Sequence, residues 1–146
     1  MADEQRGSDC PRDEDLVFVV GSPRSGTTWL QLLLASHPDV ATRGETHLFQ
    51  HFVGLALRNW DTLEGAPREM GPGLVMDREE FVDRQRAFAR EVYARTAGDE
   101  ARLVVDKTPG HALWLDEILE VFPAARVLHL VRDPRDVAAS MMAASG

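Results

Sequence analysis

The chain predicts an α/β fold, a three-layer sandwich around a central parallel sheet, and three observations carry that expectation. Short β-branched and aliphatic runs stand far apart, at Leu16–Val20, Arg102–Val105 and Arg126–Val131, with Val40–Thr42 as a fourth candidate. Turns rich in glycine, proline or charge lead from these runs into stretches with apolar residues at helical spacing, the alternation that builds parallel sheets. The runs are almost continuously apolar, as strands covered on both faces are.

The elements follow in order. Residues 1–15, MADEQRGSDCPRDED, hold six acids against two arginines and almost nothing apolar, so a flexible acidic tail is expected, with residues 16–146 belonging to one domain. After Leu16–Val20 comes a glycine-bounded loop, and Trp29, Leu30, Leu33 and Leu34 then mark a helix that His37-Pro38 closes. Arg58–Asp77, carrying Pro67 and Pro72, reads as a long irregular loop, either framing a binding site or forming a disordered insertion. Over Arg78–Thr96 the apolar stripe Phe81, Val82, Phe88, Val92 and Tyr93 predicts an amphipathic helix with Arg84, Arg86, Arg90 and Glu91 on its wet side. A further helix is expected over Ala112–Phe122, stopped by Pro123, and a last one over Val137–Ala144.

Composition bounds the function. With 44% hydrophobic and 27% charged residues, usage is that of an ordinary globular chain. The net charge of −8 argues against nucleic-acid binding and against an anionic membrane partner. One cysteine, Cys10, gives no disulfide framework. The histidines lack ligand spacing with cysteine or acids, and His47 and His51 have no H-E-x-x-H pattern, so no metal is expected.

Two motifs carry the chemistry. In the segment FVVGSPRSGTTW, Gly21 and Gly26 fall on the glycines of the phosphate-loop pattern G-x-x-x-x-G-K-[ST] and Thr28 on its hydroxyl, while Thr27 stands in place of the lysine. An anion would sit at the helix N-terminus, facing the backbone N–H groups of Ser25 through Thr28, with Arg24 as the loop's cation. Without the lysine, and with no evident carboxylate to hold magnesium, nucleoside triphosphate chemistry is poorly supported. The second motif follows Ala125–Val131: Arg132-Asp133-Pro134-Arg135-Asp136, with Ser140 farther along the next helix. Arginine supplies a planar charged fork and serine a directional hydroxyl, a pairing suited to phosphate. Taken alone, the first motif could be a generic strand-to-helix turn and the second a solvated, capped helix start.

Together they resemble a known family. PRSGTTWL is similar to the 5′-phosphosulfate loop of sulfotransferases that use 3′-phosphoadenosine 5′-phosphosulfate (PAPS), and R-D-P-R-D-x-x-x-S is similar to their 3′-phosphate motif. In motif detail the chain is nearest the tyrosylprotein-type and bacterial members, because Arg24 stands where many others carry lysine. The resemblance implies a phosphate-loop-like fold, PAPS as co-substrate, and an acceptor hydroxyl or amine that receives the sulfuryl group. It implies nucleotide contacts from Ser22, Arg24, Ser25, Gly26, Thr27, Thr28, Trp29, Arg132 and Ser140.

The same resemblance suggests the catalytic groups. Lys107, in Asp106-Lys107-Thr108-Pro109-Gly110-His111, resembles the lysine that reaches the sulfuryl group or leaving phosphate. Cytosolic small-molecule members read Lys-Thr-His there, and Pro109 replaces that histidine; His111 is expected to cap or pack. Glu45, in Arg43-Gly44-Glu45-Thr46, follows Arg24 at the spacing at which tyrosylprotein enzymes place their catalytic glutamate, and is the expected base. Its alternative is an exposed loop glutamate paired with Arg43. His47 and His51 are expected to line the acceptor cleft or face solvent. The catalytic set is thus Arg24, Glu45 and Lys107.

Golgi sulfotransferases begin with a membrane-spanning segment, which residues 1–15 do not resemble, so the cytoplasm is the expected compartment. Family members add a C-terminal strand, an acceptor wall and a basic loop that are not seen before Gly146. The chain is therefore expected to be the N-terminal part of a sulfotransferase domain, incomplete at its C-terminus. A truncated module that holds adenosine 3′,5′-bisphosphate without turnover is the alternative.

Overall fold

A computed structural model describes residues 11–64, 71–98 and 101–144. Four strands, β1 (Leu16–Gly21), β2 (Val40–Thr42), β3 (Leu103–Lys107) and β4 (Arg126–Leu130), form one all-parallel sheet in the order β2-β3-β1-β4. The expected α/β class and parallel sheet hold. The third strand starts one residue later and runs two residues farther than expected, which carries Asp106 and Lys107 into the sheet's carboxyl edge.

The helices are α1 (Thr27–Ala35), α2 (Leu48–His51), α3 (Val53–Glu64), α4 (Arg78–Ala97), α5 (Leu115–Val121) and α6 (Pro134–Ala144). β1 is central, so its alternating side chains feed two cores. Leu16, Phe18 and Val20 pack with residues of α2 through α5, including Phe49, Leu57, Tyr93 and Ile118. Val17 and Val19 join Val105, Leu30, Leu34, Val40 and Leu130 on the opposite face. Phe18 is the hub of the first core, with ring centroids 5.8 Å from Phe49, 5.9 Å from Tyr93 and 6.5 Å from Phe122. Such aromatic pairs add about 0.5–1.5 kcal/mol each beyond the area they bury.

Several expectations are corrected. The predicted irregular loop Arg58–Asp77 is helical as far as Glu64, because Val53, Leu57 and Trp60 are buried at helical spacing and continue α3. Pro67 lies outside the described residues; Pro72 opens a short 3₁₀ turn, Pro72–Leu74. The predicted helix Ala112–Phe122 is split: Pro109–Leu113 forms a 3₁₀ helix and α5 starts only at Leu115, after Trp114 leaves helical backbone angles. On α4, Arg84 and Glu91 are exposed as expected, while Arg86 and Arg90 are part-exposed and reach neighbouring elements. Arg86 donates to the Val121 carbonyl at 2.6 Å and Arg90 to Asp13 at 2.6 Å, whereas Phe88 is exposed. That second contact also revises the acidic tail: residues 1–10 lie outside the described residues, but Asp13–Asp15 is a 3₁₀ turn tied to α4.

Candidate active site

β1 ends at Gly21, whose backbone lies so close to β4 that a Cβ there would meet the Leu130 carbonyl oxygen at 2.6 Å. The loop then turns on itself through a bond from the Ser25 N–H to the Ser22 carbonyl at 3.1 Å. Gly26, at φ 103°, begins α1 from a left-handed conformation, and no side chain caps the helix. The first-turn N–H groups of α1 are therefore left for an external anion. The Ser25 N–H, expected to face that anion, instead closes the loop, and its buried hydroxyl has no partner. Ser22 is exposed and donates to the Pro23 carbonyl at 3.2 Å. Trp29, in the first turn of α1, is 68% exposed.

The adjacent β4–α6 junction meets this loop directly. Arg24 Nε donates to Ser140 Oγ at 3.1 Å, and Arg132 Nη1 donates to the Arg24 carbonyl at 3.3 Å. Within the second motif Asp133 serves structure: it accepts from the Arg135 N–H at 2.9 Å and from its guanidinium at 2.6 Å, contacts that hold its carboxyl below the usual range.

At the carboxyl end of β3 a buried network sets the third wall. The Asp106 carboxylate accepts from the hydroxyls of Tyr93 at 2.7 Å, Thr46 at 2.5 Å and Thr108 at 2.7 Å. Thr108 Oγ1 in turn accepts from the Thr46 N–H at 3.1 Å, and Thr46 Oγ1 from the Leu48 N–H at 3.2 Å. These bonds pin the segment bearing Glu45 to the sheet. Burial first, and Asp106 second, push the Tyr93 hydroxyl well above its usual value. His111 is wholly buried and its Nε2 accepts from the Phe49 N–H at 3.3 Å, so it packs as expected; burial lowers its pKa.

Glu45 does not pair with Arg43. Its Oε1 accepts from Lys107 Nζ at 2.6 Å, and its Oε2 lies 3.4 Å from His47 Nε2. Lys107 is buried, with its ammonium on Glu45 rather than at the wall of the cleft.

These pieces enclose a cavity of about 540 Å³. Arg24, Gly26, Thr27 and Thr28 line it from the loop and α1, Arg132 and Ser140 from the β4–α6 junction, and Glu45 from the segment after β2. Of the expected residues, Ser22, Ser25, Trp29 and Lys107 are not in that lining. Pro23, His47, Gln50, Pro109 and Gly110 also line the cavity. Of these, His47 carried only a weak sequence signal and Gln50 none, since a glutamine in a four-residue helix has no motif to mark it. The arrangement puts two guanidinium groups and a helix N-terminus beside a carboxylate held by an ammonium. Among the described residues no group of His, Cys, Asp or Glu could hold a metal ion, and no helix is long and apolar enough to cross a membrane.

An α/β sheet with a glycine-bounded loop opening an uncapped helix and a second basic motif at its carboxyl edge defines the class, and comparison with known proteins defines the family. The model of the sulfotransferase family matches residues 16–146, and the chain belongs to that family. A Caenorhabditis briggsae protein with a provisional protein-tyrosine sulfotransferase name is 36% identical over 132 residues, 88% of this chain and 43% of that protein. The nodulation protein NoeE of Sinorhizobium fredii is 31% identical, covering 90% of this chain and 32% of its own length. Mouse protein-tyrosine sulfotransferase 1 is 30% identical, again over 90% of this chain and 35% of its own length. The chain thus spans less than half the length of these relatives.

Proposed function

We propose that this chain forms the donor-binding part of a PAPS-dependent sulfotransferase that moves a sulfuryl group to a hydroxyl or amine acceptor. One observation carries the reading: a single cavity has Arg24, Arg132, Ser140 and the uncapped start of α1 on one side and Glu45 on another. The residues present fit the nucleotide, since two arginines at adjacent strand ends, Arg24 and Arg132, the latter 3.8 Å from Asp136, match a molecule with two anionic ends.

The nucleotide supplies the sulfuryl group. Arg24 and the first-turn N–H groups of α1 would hold the 5′ end and stabilise charge gathering on the leaving phosphate. Arg132 and Ser140 would hold the 3′-phosphate. Glu45 takes the proton from the acceptor as its oxygen or nitrogen bonds to sulfur. Lys107, bonded to Glu45, keeps that carboxylate oriented, a supporting part rather than direct contact with the leaving group. The acceptor itself does not follow from the relatives' names, because the matched positions handle donor and proton. The cytoplasm is retained as the proposed compartment on the single-cysteine composition.

Binding of adenosine 3′,5′-bisphosphate without turnover is the second reading, since the arginine and serine contacts of the cavity concern the nucleotide alone. Thermal-shift titration tests the shared premise: adenosine 3′,5′-bisphosphate should raise the melting temperature and ATP with magnesium should not. Transfer from labelled PAPS to a panel of hydroxyl and amine acceptors then separates enzyme from binding module.

A further inference from the structure

Only two non-glycine residues among those described have left-handed backbone angles, Arg24 at φ 68° and His47 at φ 49°, and both line the cavity. A left-handed conformation disfavours a residue with a Cβ and persists where the surroundings impose it, often at functional sites. Arg24 already has a role. His47 does not, and its ring is held from two sides: Nδ1 lies 3.2 Å from Gln50 Oε1, and Nε2 lies 3.4 Å from Glu45 Oε2. With the amide oxygen as acceptor, the neutral ring carries its proton on Nδ1 and turns the bare Nε2 toward Glu45. Room for that amide comes from Gly110, where a Cβ would stand 2.8 Å from Gln50 Oε1.

We infer that His47 is a positioning residue that relays the proton which Glu45 removes from the acceptor. This rests on the sulfuryl-transfer reading above. The acceptor X–H gives its proton to Glu45 Oε2 as the X–S bond forms and the bridging S–O bond breaks, its electron pair passing to the phosphate oxygen. Glu45 then passes the proton to His47 Nε2, making an imidazolium that releases its Nδ1 or Nε2 proton to water through its exposed side. Lys107 on Oε1 fixes the carboxylate so that Oε2 is the oxygen beside His47. The titratable groups set against His47 are Glu45 on its own segment, His51 of α2 at 5.6 Å between ring centroids, and His111, with Arg24 and Arg132 lining the same cavity.

The test is an NMR titration of the full chain without ligand, with the His47 signal assigned through His47→Gln, followed by turnover. Glu45→Gln should shift the His47 ring-nitrogen signals, the loss of a carboxylate neighbour at a half-exposed site. Unmoved ring-nitrogen signals overturn the pairing regardless of turnover. In the transfer assay His47→Ala should cut kcat about 10- to 100-fold with little change in KM for PAPS, and recover with added imidazole. Unchanged kcat, or a loss that imidazole does not restore, overturns the relay. A wild-type chain that transfers nothing from PAPS counts against the proposed function alone, and the titration then decides whether the two side chains share a proton.

Discussion

Lys107 Nζ and Glu45 Oε1 lie 2.6 Å apart, joining the end of β3 to the segment that follows β2. The ammonium is almost wholly buried while the carboxylate is over a third exposed to the cleft, 7% against 37%. Glu45 is thus presented by a partner fixed in the sheet. Replacing Lys107 with Met should lower kcat by about 10- to 100-fold, the worth of one charge-assisted hydrogen bond. Affinity for adenosine 3′,5′-bisphosphate, measured by calorimetry, should change by less than about threefold if Lys107 acts through Glu45. A loss of affinity matching that of Arg24→Ala would return Lys107 to the leaving phosphate.

Arg24 has the reverse signature. Its guanidinium lies between the loop and Ser140, so Arg24→Ala removes both an anion contact and the tie between the two motifs. Affinity for adenosine 3′,5′-bisphosphate should weaken by about 10- to 100-fold, whereas Ser140→Ala, losing a neutral hydroxyl, should weaken it by about 3- to 10-fold.

Asp106 holds three hydroxyls from three parts of the chain, and its loss would orphan all of them in a buried site. Asp106→Ala should destabilise the fold by about 3–5 kcal/mol, read as a fall in the urea midpoint. Tyr93→Phe removes one of the three donors and should cost about 1 kcal/mol.

Acid should weaken the fold through His111. Burial lowers its pKa in the folded state below the ordinary 6.5, so on acidification the unfolded chain takes up a proton before the folded one does. The stability that the neutral ring contributes is present above 6.5 and is lost as pH falls from there toward the folded value. Urea unfolding of wild type and His111→Gln between pH 7.5 and pH 5 should show a shallower loss in the variant. Tyr93 works at the other extreme: its raised pKa stabilises the fold below pH 10 and that contribution is lost as pH rises beyond it.

Gly21 tests the packing of the loop against β4. A Cβ at 2.6 Å from a backbone carbonyl cannot be accommodated by a side-chain movement. Gly21→Ala should destabilise the chain by about 1–3 kcal/mol in thermal unfolding and weaken nucleotide binding, since the loop must move away from Leu130.

What was legible in the amino-acid order was local. β-branched runs marked the strands, glycines and a missing lysine marked the anion loop, and Arg132 with Ser140 marked its companion, because each signal lies within a few residues. The helix Val53–Glu64 was also written there, as Val53, Leu57 and Trp60, but nearby prolines obscured it. What the tertiary structure decided is which distant groups meet. Neighbouring parallel strands, in the order β2-β3-β1-β4, bring the ends of β1 and β4 together and lay the segment after β2 against the end of β3. That order brings Arg24 to Ser140, Glu45 to Lys107, and Thr46 to Asp106. No periodicity encodes those meetings, because strand order results from how the two faces of the sheet are buried, and only the closed core settles which carboxyl ends lie side by side.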